Sequence, residues 1–115
     1  MVLNRECDTL ICVLYKEYLT RRKNNVLLSR SRYFRDDASI RENFLPQWYE
    51  EDVATLCWDL YDKGLLDVTR GDDKANDVSL TADGIAYMEQ RFPNGIKMVA
   101  DYLMKLAQSV APWLV

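Results

Sequence analysis

The sequence predicts a mainly α-helical domain with a small β-hairpin, an α+β fold. Three features carry that expectation. Apolar residues recur at spacings of three and four in four separate stretches. Two short apolar runs flank a segment rich in Gly, Asn and Asp between residues 70 and 77, which is turn composition. The 115 residues are 49% hydrophobic and 29% charged, enough for one core, and four Gly and three Pro exclude a collagen-like or disordered chain.

The elements follow in order. Cys7, Leu10, Ile11, Leu14, Tyr15 and Tyr18 share one helical face, which places a first helix at about residues 4–20, with Asp8 and Thr9 among its polar positions. Arg21-Arg22-Lys23-Asn24-Asn25 forms a polar exit. Val26-Leu27-Leu28 is a short apolar run, read either as a small strand or as an anchor to the core. Ser39-x-x-Glu42 matches a capping box, so a short helix is expected from about 39 to 44, bounded by Pro46. Val53, Leu56, Cys57, Leu60 and Tyr61 define a third helix at about 49–63, with Glu50, Glu51 and Asp52 in its first turn and Gly64 as its stop. Leu65–Thr69 and Val78–Leu80 read as the two strands of the hairpin. Thr81 caps a further helix carrying Ile85, Met88 and Phe92. The last helix spans about 96–110, and Pro112-Trp113-Leu114-Val115 forms an apolar tail.

Three helices followed by a two-stranded wing resemble a winged helix-turn-helix domain. Two segments carry the resemblance. The segment from Val53 to Leu66, ending in Leu60-x-x-x-Gly64-Leu65-Leu66, is similar to the signature in which the third helix of such domains ends in Gly and feeds the wing. Leu80-Thr81-Ala82-Asp83-Gly84-Ile85-Ala86-Tyr87-Met88 is similar to the segment that follows the wing in many prokaryotic members. Within that superfamily the chain resembles small uncharacterised winged-helix proteins of bacteria and phages, including the YjcQ-like group, which implies a phage or mobile-element origin. The resemblance divides the chain into a winged helix-turn-helix domain at 1–92 and an added C-terminal helix at 93–115. It implies a DNA-binding transcriptional regulator.

Charge is distributed unevenly. Residues 1–45 carry a net charge of +3 and residues 46–115 a net charge of −6. The third helix, which reads DNA in many winged helices, presents Glu51, Asp52, Thr55, Trp58, Asp59 and Asp62. The wing tip adds Asp72, Asp73 and Asp77 against Arg70 and Lys74. Carboxylates there repel phosphates. The candidate DNA contacts are therefore Arg21, Arg22, Lys23, Arg30, Arg32, Arg35 and Arg41, supplemented by Arg70 and Lys74 of the wing. The competing reading is a solvated loop whose arginines pair with the acidic third helix. A second functional reading is a protein-interaction module that binds no DNA, with the acidic third helix and Trp58 facing a protein partner. Trp58 has its own alternative, packing under the wing or against Trp48 as core.

The C-terminal helix carries a broad apolar stripe that must be covered. A two-fold homodimer through Ile96, Val99, Leu103, Met104, Leu106 and Trp113 is one expectation. Packing on the first helix, beside Cys12, Val13 and Leu19, is the other. Catalysis, metals and cofactors are not expected. His is absent, which removes the commonest base and zinc ligand. No phosphate loop, dinucleotide fingerprint or nucleophile elbow occurs. Cys7, Cys12 and Cys57 are odd in number and unpaired in spacing, which suits reduced, buried thiols. No signal peptide or membrane span is apparent, so a cytoplasmic location is expected.

Overall fold

The order of elements in the computed structural model is α1 (Arg5–Lys23), α2 (Leu28–Ser31), α3 (Asp37–Phe44), α4 (Glu50–Asp62), β1 (Leu66–Gly71), β2 (Lys74–Leu80), α5 (Ala82–Arg91) and α6 (Ile96–Val110). The structure describes residues 1–71 and 74–110, with backbone alone for 107–110. Asp72, Asp73 and the tail with Trp113 lie outside the described residues. The chain is thus mainly helical with one two-stranded antiparallel hairpin.

Helix α1 is the centre of the molecule and touches α2, α4, α5 and α6. Its N-cap is Asn4, whose side-chain oxygen accepts the Cys7 amide at 2.8 Å. Because neighbours surround it, burial is not confined to the apolar stripe. Asp8 and Thr9, expected on the polar side, are buried along with Leu10, Ile11, Leu14 and Tyr15. The helix also runs through the expected polar exit to Lys23.

The segment after α1 departs from expectation. Val26–Leu28 is neither strand nor anchor; Leu27 and Leu28 are exposed at the start of the four-residue α2. Strand-like pairing comes later. The Phe34 amide donates to the Val78 carbonyl and the Val78 amide to Arg35, both at 2.7 Å, while the Leu80 amide donates to Arg32 at 2.9 Å. Residues 32–35 therefore line the free edge of β2, with a bridge between Tyr33 and Ser79. Helix α3 begins two residues earlier than the capping-box reading. Asp36, not Ser39, is the N-cap, its Oδ1 accepting the Ser39 amide at 2.8 Å. The Asp36 carboxylate caps the helix three residues before Ser39, which then lies inside the first turn.

Helix α4 hands the chain to the hairpin at Gly64, which takes φ of 78°. Thr81 closes the other side of that junction. Its hydroxyl accepts the Gly84 amide at 2.8 Å and donates to the Gly64 carbonyl at 2.6 Å. Gly84 lies so close to β1 that a Cβ there would stand 2.2 Å from the Leu65 carbonyl oxygen. The core between these elements includes Leu14, Ile40, Val53, Leu60, Leu66, Val78, Met88 and Val99, each at most 1% exposed.

Candidate functional site

Helix α4 holds Glu51, Asp52, Thr55, Tyr61 and Asp62 in the open, with Trp58 and Asp59 half-buried. Trp58 falls between its two expected roles. It meets Tyr61 edge to face, with ring centroids 5.2 Å apart, and the Arg70 guanidinium lies 5.5 Å over its ring. Trp48, in contrast, is a core residue. Lys74 of β2 stands 3.8 Å from Glu50 of α4, both side chains partly in water, a weak pair. Both cations of the wing therefore lie beside α4 while staying exposed to water.

The expected basic contacts separate into two groups. Arg21 is a clamp within the fold. Its Nε pairs with Glu17 at 2.9 Å, its Nη1 donates to the carbonyls of Arg30, Ser31 and Tyr33, and its guanidinium lies 4.6 Å over the Phe34 ring. Arg41 is half-buried and donates from Nε to the Trp48 carbonyl at 3.1 Å. Arg22 likewise donates from Nη1, to the Val26 carbonyl at 2.9 Å, while staying exposed. Arg22, Lys23, Arg30 and Arg35 remain exposed and Arg32 half-exposed. The Arg21 clamp folds the 21–23 run against residues 30–33, so one basic edge forms at the C-terminal end of α1.

That edge and the wing tip are not brought together. Arg32 pairs with Leu80, at the opposite end of β2 from Lys74. Six residues of strand separate them, about 20 Å. Arg35 and Arg70 do share a polar groove of about 390 Å³, but Asp77 occupies it as well. The Tyr33 hydroxyl donates to one Asp77 oxygen at 2.9 Å and Thr69 to the other at 3.1 Å, and the first bond raises the Tyr33 pKa. The groove is of mixed charge.

At the N-terminal end of α1 the surface is acidic. Glu6, Gln47, Trp48, Tyr49 and Asp52 line a recess of about 190 Å³, continued by a shallow surface of Tyr49, Glu50, Glu51 and Asp52. Tyr49 is 79% exposed.

Helix α6 packs on α1 within the chain. Val99 is wholly buried there, while Ile96, Leu103 and Leu106 are half-buried and Met104 exposed. An open groove of about 550 Å³ remains between α1, α3 and α6, lined in part by Val13, Phe44, Leu103 and Met104.

A buried polar node escaped the sequence reading. Asp8 receives Arg91 at 2.6 and 3.3 Å, the Tyr102 hydroxyl, and the Cys12 thiol at 3.8 Å. Burial lowers the affinity of Arg91 for its proton, but the bonds to Asp8 outweigh it and raise the pKa. One carboxylate thereby ties α1 to α5 and α6. The three thiols are buried and unpaired, and burial raises each, Cys7 to about 11 and Cys57 to about 12. Among the described residues no cluster of three potential ligands could hold a metal, and no helix is long and apolar enough to cross a membrane. Compared with protein-family models, curated proteins and solved structures, the chain matches none.

Proposed function

We propose that the chain is a cytoplasmic winged-helix domain that works as a protein-interaction module, with the acidic face of α4 turned to a basic partner. The winged-helix reading is supported by the order of α1, α3, α4 and hairpin, and by the two glycine junctions at Gly64 and Gly84. The observation that carries the functional reading is the placement of both wing cations beside α4. With Arg70 over Trp58 and Lys74 beside Glu50, the carboxylates of Glu51, Asp52 and Asp62 are left open on α4. Inserted in a major groove, it would set carboxylates among phosphates.

The test is amide-shift mapping of the labelled protein against two probes, a short peptide of alternating Lys and Leu and a random duplex of ten base pairs. The module predicts that the peptide moves the amides of residues 49–62 and the duplex does not. Duplex-induced shifts along α4 at low salt overturn it.

The second reading, a DNA-binding regulator, is favoured by one observation: the Arg21 clamp gathers Arg22, Lys23, Arg30 and Arg32 on one edge. Such a protein would hold the duplex by phosphate contacts alone, with an affinity that falls steeply with salt. Duplex-induced shifts confined to residues 21–35 would select it.

A further inference from the structure

We infer that the partner of the acidic face is the basic edge of a second copy, so that chains associate head to tail; this rests on the acidic face being a docking surface. The two ends of α1 carry the argument. At its N-terminal end the recess beside Trp48 and the exposed Tyr49 is bordered by Glu6 and Asp52, with Glu51 next to it. At its C-terminal end Arg22, Lys23 and Arg30 flank Leu27 and Leu28, which are 65% and 45% exposed and are the exposed leucines of the described residues.

Each surface has an apolar centre and a charged rim, the arrangement of a protein interface, and the rims are opposite in sign. Among the described residues, none of Glu6, Glu51, Asp52, Arg22, Lys23 and Arg30 has an ion-pair partner within the chain. They cannot find one in each other. Glu6 and Arg22 are sixteen residues apart on one helix, about 24 Å along its axis. Between copies the restriction vanishes: the leucine pair of one chain enters the recess of the next while the arginines meet the carboxylates. Exposed charge pairs alone contribute little, so the leucine pair supplies the short-range attraction. The two surfaces differ, so the contact is heterologous, and every added copy leaves one surface of each kind free. The contact is small, which places it among weak, reversible associations.

Sedimentation velocity over a range of concentrations tests this on the full chain. At about 50 mM salt the weight-average mass should rise past that of a dimer, and at about 500 mM, where screening is strong, it should return to the 13.5 kDa monomer. Arg22→Glu/Arg30→Glu and Glu51→Lys/Asp52→Lys should each stay monomeric alone. Mixed in equal amounts they should associate again, because the reversed edge of one then meets the reversed face of the other, and their two unreversed surfaces also meet. Leu27→Ser/Leu28→Ser should lose association with every charge kept. All these positions are exposed, and an unchanged thermal transition verifies that each variant is folded. A wild-type monomer at low salt, association surviving in either charge variant alone, or a discrete salt-resistant dimer overturns the inference. A monomer whose α4 amides still respond to the Lys-Leu peptide rejects self-association while keeping the docking face.

Discussion

Replacing Asp8 with Asn tests whether one carboxylate locks α5 and α6 to α1. Asp8 is 8% exposed and receives two bonds from Arg91, one from the Tyr102 hydroxyl and a weak one from Cys12. The guanidinium has further neighbours, lying 4.9 Å over Phe92 and 5.3 Å over Tyr102. Asn keeps the shape and one acceptor. It removes the charge and turns an amide donor toward a donor. Breaking a buried ion pair costs about 3–5 kcal/mol. The Arg91 side chain keeps 24% of its surface in water, so screening reduces the loss to about 2–3 kcal/mol. For a domain of this size that is a fall in Tm of about 8–15 °C. Urea unfolding at neutral pH measures it, with the slope against denaturant expected to be unchanged. The double variant Asp8→Leu/Arg91→Met, which removes both charges, should recover much of the loss. A loss under about 0.5 kcal/mol in the single variant, below the usual worth of even one neutral hydrogen bond, would refute the reasoning.

Three more outcomes follow from the structure. Gly84→Ala should destabilise by about 2 kcal/mol, since the new Cβ meets the Leu65 backbone at 2.2 Å and only part of the strain is offset by helix propensity; the urea midpoint reads it. Asp37 is 2% exposed, its Oδ1 has no hydrogen-bond partner, and burial raises its pKa. Folding therefore loses stability as pH rises through that raised value, and Asp37→Asn should raise Tm at pH 7 while leaving it unchanged at pH 3. The buried thiols act in the same direction at the alkaline end. Their folded pKa values, about 11 for Cys7 and about 12 for Cys57, lie above the ordinary 9.0. Their contribution is complete below pH 9 and declines between pH 9 and 12, so Cys57→Ala should flatten the loss of stability measured across that range.

Much of the fold is written in local signals. Helix α4 combines an apolar stripe, acidic residues in its first turn and Gly64 at its end, and all of these act within a few residues of one another. Thr81 is equally local, since its hydroxyl serves an amide three residues on. Asp36 and Ser39 show the limit of such signals: both can cap, and which one does depends on how the chain arrives from the edge of β2. Asp8 was illegible for a different reason. Its partner Arg91 is 83 residues away, and no local pattern distinguishes an acid that α5 and α6 will cover from one left in water. The candidate surface divides similarly. The acidity of α4 was plain in the sequence. That Arg70 and Lys74 would fold onto that helix, and that Arg21 would be spent on backbone carbonyls, depends on tertiary geometry. Val26-Leu27-Leu28 reads as a small strand or a core anchor because it is apolar, yet Leu27 and Leu28 are exposed at the start of α2.

In the proposed interaction module, α4 and the wing do not read DNA. Fluorescence anisotropy of a labelled random duplex, titrated at about 20 mM salt with wild type and with Thr55→Glu and Trp58→Ala, tests it most directly. Neither substitution should change duplex affinity, and wild type should show no α4-dependent binding. Binding near 10 μM, within the usual range for non-specific contacts, that is lost in Thr55→Glu or Trp58→Ala would contradict it.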